Sequence, residues 1–301
     1  MWHFLRNQVS LFSSATPWEW LHFNVYLAGL CVQAWWARQV HYRTLSSRAL
    51  RALRKSERVF VFGSGYSLNE ISAREWAEIC RHDTIGFNAF VQQHWVPVGF
   101  HLVRGWGEGA NIAYNWRKEI GELARLIKGN PLYSKTVFLM QDEHFGQASR
   151  VLLAEKMLPE GTQVGCYWTA AAGALPTRRI EEGLRHLSGT LSDAVNLAFC
   201  LGWREIVLVG VDLYDTRYFW LKPDETFCTD YRTGERHVAA VSDRGQRFDQ
   251  PHSTACNGVV EEMRVWGDFM RSQGVVLSVY NPRSLLAEVL PVYERSGERG
   301  G

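Results

Sequence analysis

Apolar residues in this 301-residue chain fall into short runs separated by polar, turn-rich stretches. Val59–Phe62, Thr84–Phe87, Phe100–Val103, Thr136–Met140, Val164–Trp168, Glu205–Val211 and Val275–Tyr280 have the length and the β-branched or aromatic content of strands buried on both faces. Between them, helical spacing recurs near 73–81, 116–128, 150–158, 190–201 and 256–273. Strands alternating with helices predict an α/β fold, a Rossmann-like, mainly parallel sheet flanked by helices. No internal repeat or low-complexity tract interrupts the pattern. Residues 221–251 are rich in Asp, Arg, Gly, Thr and Gln without periodicity, which predicts a lid or binding loop at about 219–251.

The first 57 residues have a different texture. Trp18 to Trp36 is a mostly apolar stretch of helical character, in which Glu19, His22 and Gln33 share one side. It is followed by Arg38, Arg43, Arg48, Arg51, Arg54, Lys55 and Arg58. Residues 1–58 carry 8 Lys and Arg against 2 Asp and Glu, and the remainder 25 against 29, so the basic character is confined to this end. An aromatic helix followed by a basic run suits an interfacial helix on an anionic membrane surface. A helix packed on the domain or on a partner is the second reading. A true span is the third, and it is borderline because spanning takes ~20 apolar residues. A cleaved signal is disfavoured by the late start of the apolar part and its Trp content. The chain thus divides into an N-terminal, membrane-associating helical segment, 1–57, and a domain, 58–301. With the basic cluster after the apolar stretch, the domain is expected on the cytoplasmic side, peripheral on the inner face of the membrane.

Composition narrows the function classes. At 46% hydrophobic and 21% charged, the chain is neither collagenous nor disordered, and a net charge of +2 does not call for nucleic acid. The six cysteines (Cys31, Cys80, Cys166, Cys200, Cys228 and Cys256) are scattered, without CxxC or HExxH. They read as free thiols in a reducing compartment, with no zinc site.

Three short tracts carry candidate chemistry. The first, Gly63–Ile71 (GSGYSLNEI), follows a predicted strand, where glycines let backbone N–H groups approach a phosphate. It lacks the third Gly of the dinucleotide fingerprint, the GxxxxGK of a P-loop and the GxSxG of a nucleophile elbow. In the second tract, Ser188, Gly189 and Thr190 open a helix that leads through Leu201-Gly202 into a strand ending at Gly210-Val211-Asp212. Asp212 therefore stands at a strand's carboxyl end, where open α/β sheets bind ligands, with Tyr214 and Tyr218 close behind as phenolic donors. The bland alternative for each is a cap, a loop ion pair or half-buried packing. The third tract, Gln250–Thr254, sets His252 just before a helix, where it is either a general base or a surface residue.

Taken in order, these pieces resemble the small bacterial lipooligosaccharide sialyltransferases, which use CMP-sialic acid. GSGYSL is similar to that family's GNGPSL turn, Asn88 in IGFN to the Asn of a later strand, and Ser188–Thr190 to its CMP-binding tract. LGWREI and GVDLY are similar to its LGY-KEI and GIDFY, His252-Ser253 to its His-Ser element, and Asn281–Leu286 to its PNSLL. The likeness covers residue 58 to about 290 and is thin between 104 and 186. Ser64 replaces the family's Asn, Tyr66 its Pro, the tract's Gly is out of register, and Arg104 stands roughly where another nucleotide-contacting Asn falls.

The resemblance implies a glycosyltransferase that moves sialic acid or a related 2-keto sugar acid from a CMP donor to a glycan or glycolipid hydroxyl. It implies His252 as general base and Tyr214 and Tyr218 on the leaving phosphate. Gly63, Ser64, Gly65, Ser67, Asn88, Arg104, Ser188, Gly189, Thr190 and Asp212 would hold the nucleotide. No metal cofactor is implied, because the chain has no DxD motif and CMP has a single phosphate. The expected partners are the nucleotide-sugar donor, the acceptor and, through residues 18–58, the membrane surface; an oligomer is left open. Two other readings stand beside it. One is an ATP-dependent diphosphokinase related to 6-hydroxymethylpterin diphosphokinase, which shares a GxGPSL-like turn. The other is a non-catalytic, membrane-docked binding module.

Overall fold

The computed structural model describes residues 17–104, 112–142, 147–170, 175–187, 189–214, 217–220, 227–229, 236–238, 255 and 258–295. One eight-stranded sheet organises them. From edge to edge it runs β1 (Arg43–Thr44), β6 (Gln163–Tyr167), β5 (Val137–Gln141), β4 (Phe100–Val103), β3 (Asp83–Phe87), β2 (Arg58–Phe62), β9 (Glu205–Val209) and β12 (Val276–Val279). Every adjacent pair is parallel. Seven of these strands lie where the apolar runs predict them, within two residues at each end.

Both faces of the sheet are covered, which is why the strands read as continuous apolar runs. Val59 and Val61 of β2 pack with α2 (Ser47–Ala52), α6 (Thr190–Leu201) and α7 (Val259–Ser272). Phe60 and Phe62 pack on the other side with α1 (Pro17–Val40), α3 (Ala73–Ile79), α4 (Ile112–Gly129) and α5 (Gln147–Ala154). Local sequence fixes the ends of these helices. Ser72 and Glu75 form a capping box at α3, and Gly202, at φ +90°, closes α6 in the left-handed conformation that glycine adopts without strain. At the amino edge, buried Asp83 accepts from Lys55 N (2.8 Å), Ser56 N (3.1 Å) and Trp203 Nε1 (2.9 Å), tying the turn into β2 to the turn into β9.

The boundary drawn after residue 57 does not separate two bodies. β1 pairs with β6 through Arg43↔Gln163 and Thr44↔Val164, and Tyr42 and Leu50 belong to the two cores. Much of the basic run is spent inside the fold. Arg38 pairs with Asp142 (2.8 Å), Arg58 with Glu205 (2.6 Å), Arg51 Nε donates to Cys200 O (3.0 Å), and Arg54 donates to Gly202 O. Arg43, Arg48, Arg51 and Lys55 remain exposed.

Helix α1 packs along α5 through Leu30, Ala34 and Ala37. Its other side exposes Trp18, Leu21, Val25, Val32, Trp35 and Trp36, with Val32 66% exposed. Among the described residues no helix is long and apolar enough to cross a membrane. In α1 His22, Asn24, Gln33, Arg38 and Gln39 break up the apolar stretch.

Two short ribbons complete the description. β7 (Thr169–Ala170) pairs in parallel with β8 (Leu184–Arg185), and β10 (Phe227–Thr229) pairs antiparallel with β11 (Arg236–Val238). The second lies inside the stretch predicted as a lid, most of which falls outside the described residues. Cys31, Cys80, Cys166 and Cys200 are free thiols.

Candidate functional site

Strands β2 and β9 are neighbours at the point where strand order reverses. From β2 the chain steps outward through β3, β4, β5 and β6, whereas β9 and β12 lie on the opposite side. In open parallel sheets the crevice outside the carboxyl ends at such a point receives the ligand. Here those two ends carry Gly63–Ser67 and Gly210–Tyr214.

The two turns lock together through backbone. Gly63 N donates to Val209 O (2.8 Å) and Gly65 N to Gly210 O (2.7 Å). Ser67 donates to Asp212 from both its N–H (2.9 Å) and its hydroxyl (2.5 Å). Glycines in such a turn can leave backbone N–H groups open to a phosphate. At Gly63, Gly65 and Ser67 they are already spent on β9 and its turn. The glycines serve close approach instead: a Cβ on Gly65 would lie 2.4 Å from Asp212 Oδ2.

Asp212 is turned inward. At 3% exposure it also accepts from Asn281 Nδ2 (3.1 Å), so both carboxylate oxygens serve the chain's own donors. It organises the turn, holding Ser67 and Asn281 together. The next residue, Leu213, has φ +63°, a conformation that costs a branched side chain about 1–3 kcal/mol and that clusters at functional sites. Beyond it, Tyr214 is half-buried, its hydroxyl accepts from Asn281 Nδ2 (3.3 Å), and the Arg283 guanidinium lies 5.8 Å from its ring centre. Burial, with Asp212 adding to it, pushes the Tyr214 phenol up to about 12. It stays a neutral O–H donor through the physiological range.

Tyr218 closes the opposite wall. Its backbone bridges antiparallel to Gly65, its ring stacks on Trp220 at 4.5 Å, and Phe219 N donates to Ser64 O (3.1 Å). Beside it is a cation that the sequence reading passed over. Arg217 is buried, with its guanidinium 4.0 Å from the centre of the Tyr66 ring. Its position between Tyr214 and Tyr218 was the available signal. Asn281 was noted only as part of a motif, although it joins Asp212 to Tyr214.

The same edge continues across the sheet. Asn88, after β3, has φ +51°, and its Nδ2 donates to Thr190 Oγ1 (3.2 Å) at the first turn of α6. Its Oδ1 is buried without a partner, as is Arg104 Nε after β4. They are two of twelve such buried polar atoms among the described residues, and both lie on this edge of the sheet. Gly189 caps α6 without a side-chain bond, and the first turn of that helix carries one acidic side chain, Asp193. Parallel topology thus gathers Gly63, Ser64, Gly65, Ser67, Asn88, Arg104, Gly189, Thr190, Asp212, Tyr214 and Tyr218 on the carboxyl edge. Ser188 and His252 lie outside the described residues.

Two cavities flank α1 instead. One of about 560 Å³ is lined by Tyr26, Gly29, Leu30, Gln33 and Glu155. The other, about 120 Å³, has Arg38, Gln141, Asp142, Arg150 and Cys166 in its wall. Neither includes a residue of the glycine turns, and it is the topology that makes the switch point the candidate site.

No protein-family model and no curated protein matches this chain. A solved structure with some likeness in chain path is the MAf glycosyltransferase from Magnetospirillum magneticum AMB-1. It matches at 15% identity and a TM-score of 0.41, over 80% of this chain and 32% of that one, so the chain spans less than a third of that protein's length.

Proposed function

We propose that this chain is a glycosyltransferase that moves sialic acid, or a related 2-keto sugar acid such as Kdo, from a CMP donor to a hydroxyl of a bacterial surface glycan or glycolipid. One observation carries the reading. Motifs that resemble the sialyltransferase set (GSGYSL, IGFN, Gly189-Thr190 and GVDLY) are far apart in sequence yet lie on one carboxyl edge of the sheet. Asn88 bonded to Thr190, and the β2 turn bonded to the β9 turn, tie them side by side.

In this reading the bond between the anomeric carbon and the phosphate oxygen of CMP breaks, and a bond to the acceptor oxygen forms. His252, by resemblance, takes the acceptor's proton. Tyr214 and Tyr218 donate hydrogen bonds to the phosphate as negative charge grows on it. Asn88, Arg104 and the start of α6 hold the nucleotide. Asp212 keeps the glycine turn in shape. The exposed apolar stripe of α1, with Arg43, Arg48 and Lys55 nearby in sequence, supports docking on an anionic membrane surface that carries the acceptor.

The test is thermal stability with CMP, UDP, GDP and ATP–Mg in parallel. A ligand of the native state at 100 times its Kd adds about 2.7 kcal/mol, several degrees for a chain of this size. Stabilisation by CMP is expected, followed by transfer from CMP-sialic acid or CMP-Kdo that His252→Ala abolishes. A response to ATP–Mg alone would favour the diphosphokinase reading. Full transfer by the His252→Ala variant would remove that residue's role, and indifference to CMP would overturn the proposal.

A further inference from the structure

From the last residue of β8 toward α6, three successive residues are gripped by three side chains of α6. Asn196 Oδ1 accepts from Arg185 N (2.8 Å), Asp193 Oδ1 pairs with His186 Nδ1 (2.9 Å), and Ser192 Oγ accepts from Leu187 N (3.1 Å). Asn196 is itself fixed, accepting from Thr177 N (3.2 Å) and donating to Thr177 O (2.8 Å). The imidazole at the centre of this grip is held in position before any ligand arrives.

The pair is asymmetric. The Asp193 side chain is 0% exposed and that of His186 is 21% exposed. A carboxyl group withdrawn from water needs hydrogen-bond partners, and Nδ1 of His186 supplies one. That leaves Nε2 as the ring's second hydrogen-bonding nitrogen. Asp193 follows Thr190 by three residues, which puts both on one face of α6 about one turn apart. Thr190 is the residue that Asn88 reaches from β3. His186 therefore stands over the first turn of α6, on the carboxyl edge of the sheet, beside a helix start whose Gly189 has no side-chain cap bond.

We propose that His186 is a phosphate-contacting residue of the nucleotide site and that Asp193 positions it. The inference rests on the nucleotide-site reading above. In this contact Nδ1 stays on Asp193 and Nε2 hydrogen-bonds a phosphate oxygen, beside a helix start where anions are favoured. The contact serves the phosphate and not the nucleoside.

The test compares CMP with cytidine by calorimetry on the full chain. His186→Gln keeps an N–H donor within the reach of Asp193, and its melting temperature without ligand is measured first, to separate any loss of stability from a loss of binding. The variant should weaken CMP by about ten- to a hundredfold, the range for a hydrogen bond to a charged group, and leave cytidine unchanged. Asp193→Asn, where it folds, should lower the same CMP-to-cytidine ratio. A purely structural role would lower both affinities together, and either that or an unchanged ratio in His186→Gln overturns the inference while the donor site stands. If wild type binds no CMP, the donor reading fails first. His186 is then judged by its ring 15N signals during titration with inorganic phosphate: a shift supports an anion site, and none overturns it.

Discussion

A methyl group on Gly65 would meet Asp212 Oδ2 at 2.4 Å, and one on Gly63 would meet Gly210 O at 2.4 Å. Neither neighbour can retreat. Asp212 is held by Ser67 and Asn281, and Gly210 O accepts from Gly65 N. Gly65→Ala is therefore expected to destabilise by about 1–3 kcal/mol and to remove the response to CMP. An unchanged melting curve would show the turn to be looser than its contacts imply. Asp212→Asn replaces an acceptor-only group facing three donors, so its cost, about 1–3 kcal/mol, should appear without any nucleotide present. A loss seen only with CMP bound would return Asp212 to the ligand-contacting set.

His101 is wholly buried beneath the same edge, against Tyr133, and burial pushes its imidazole down from 6.5 to about 3. The unfolded chain binds a proton below pH 6.5 that the folded chain refuses. Stability from this source is intact above pH 6.5 and erodes as pH falls toward 3, by about 1.4 kcal/mol per unit. His101→Phe should flatten that fall, as read by urea unfolding at pH 7 and pH 4. Equal slopes in the two proteins would place the acid sensitivity elsewhere.

At the scale of elements, α1 is apolar on two sides, and its sequence does not say which side the domain takes. The small side chains of Ala34 and Ala37 let α5 come close and so leave Trp18, Val25, Val32 and Trp35 outside. Val25→Glu, Val32→Glu and Trp35→Glu combined should abolish sedimentation with vesicles of anionic phospholipid and leave the melting temperature unchanged. Leu30→Ala, on the buried side, should instead cost about 2–5 kcal/mol. Undiminished vesicle binding by the triple variant would rule α1 out as the docking surface. Removing residues 1–57 is a poorer test, because it also takes away β1 and the Leu50 side chain from the core.

At the scale of the whole molecule, the interlocked turns of β2 and β9 couple regions that begin 147 residues apart, at Gly63 and Gly210. Hydrogen exchange with CMP should therefore slow together at 63–68, 88–92, 189–193 and 210–214, and not at the β1–β6 edge. Protection confined to one of these segments would mean that the crevice does not act as a unit. Their meeting was only partly legible beforehand. Strand ends could be read from Gly63 and Gly210, and parallel order predicts that both face one edge.

The elements themselves were written in local pattern. Apolar runs and helical spacing fixed seven strands and their helices, because burial on both faces of a parallel sheet demands continuous apolar segments. Short pieces without such runs escaped, among them the two-residue β1, whose pairing depends on β6. Side-chain partners were not written in the pattern at all. Position along a strand tells which end a residue occupies but not which neighbours arrive there. So Asp212 could be placed at a ligand edge, yet it faces Ser67 and Asn281. The basic run could be counted, yet Arg38, Arg54 and Arg58 were drawn into the fold. His186 carried no motif, and its chemistry rests on Asp193, one helical turn beyond Thr190. Spacing is a one-dimensional property that backbone geometry turns into elements, whereas a carboxylate finds its donors only when distant strands close around it.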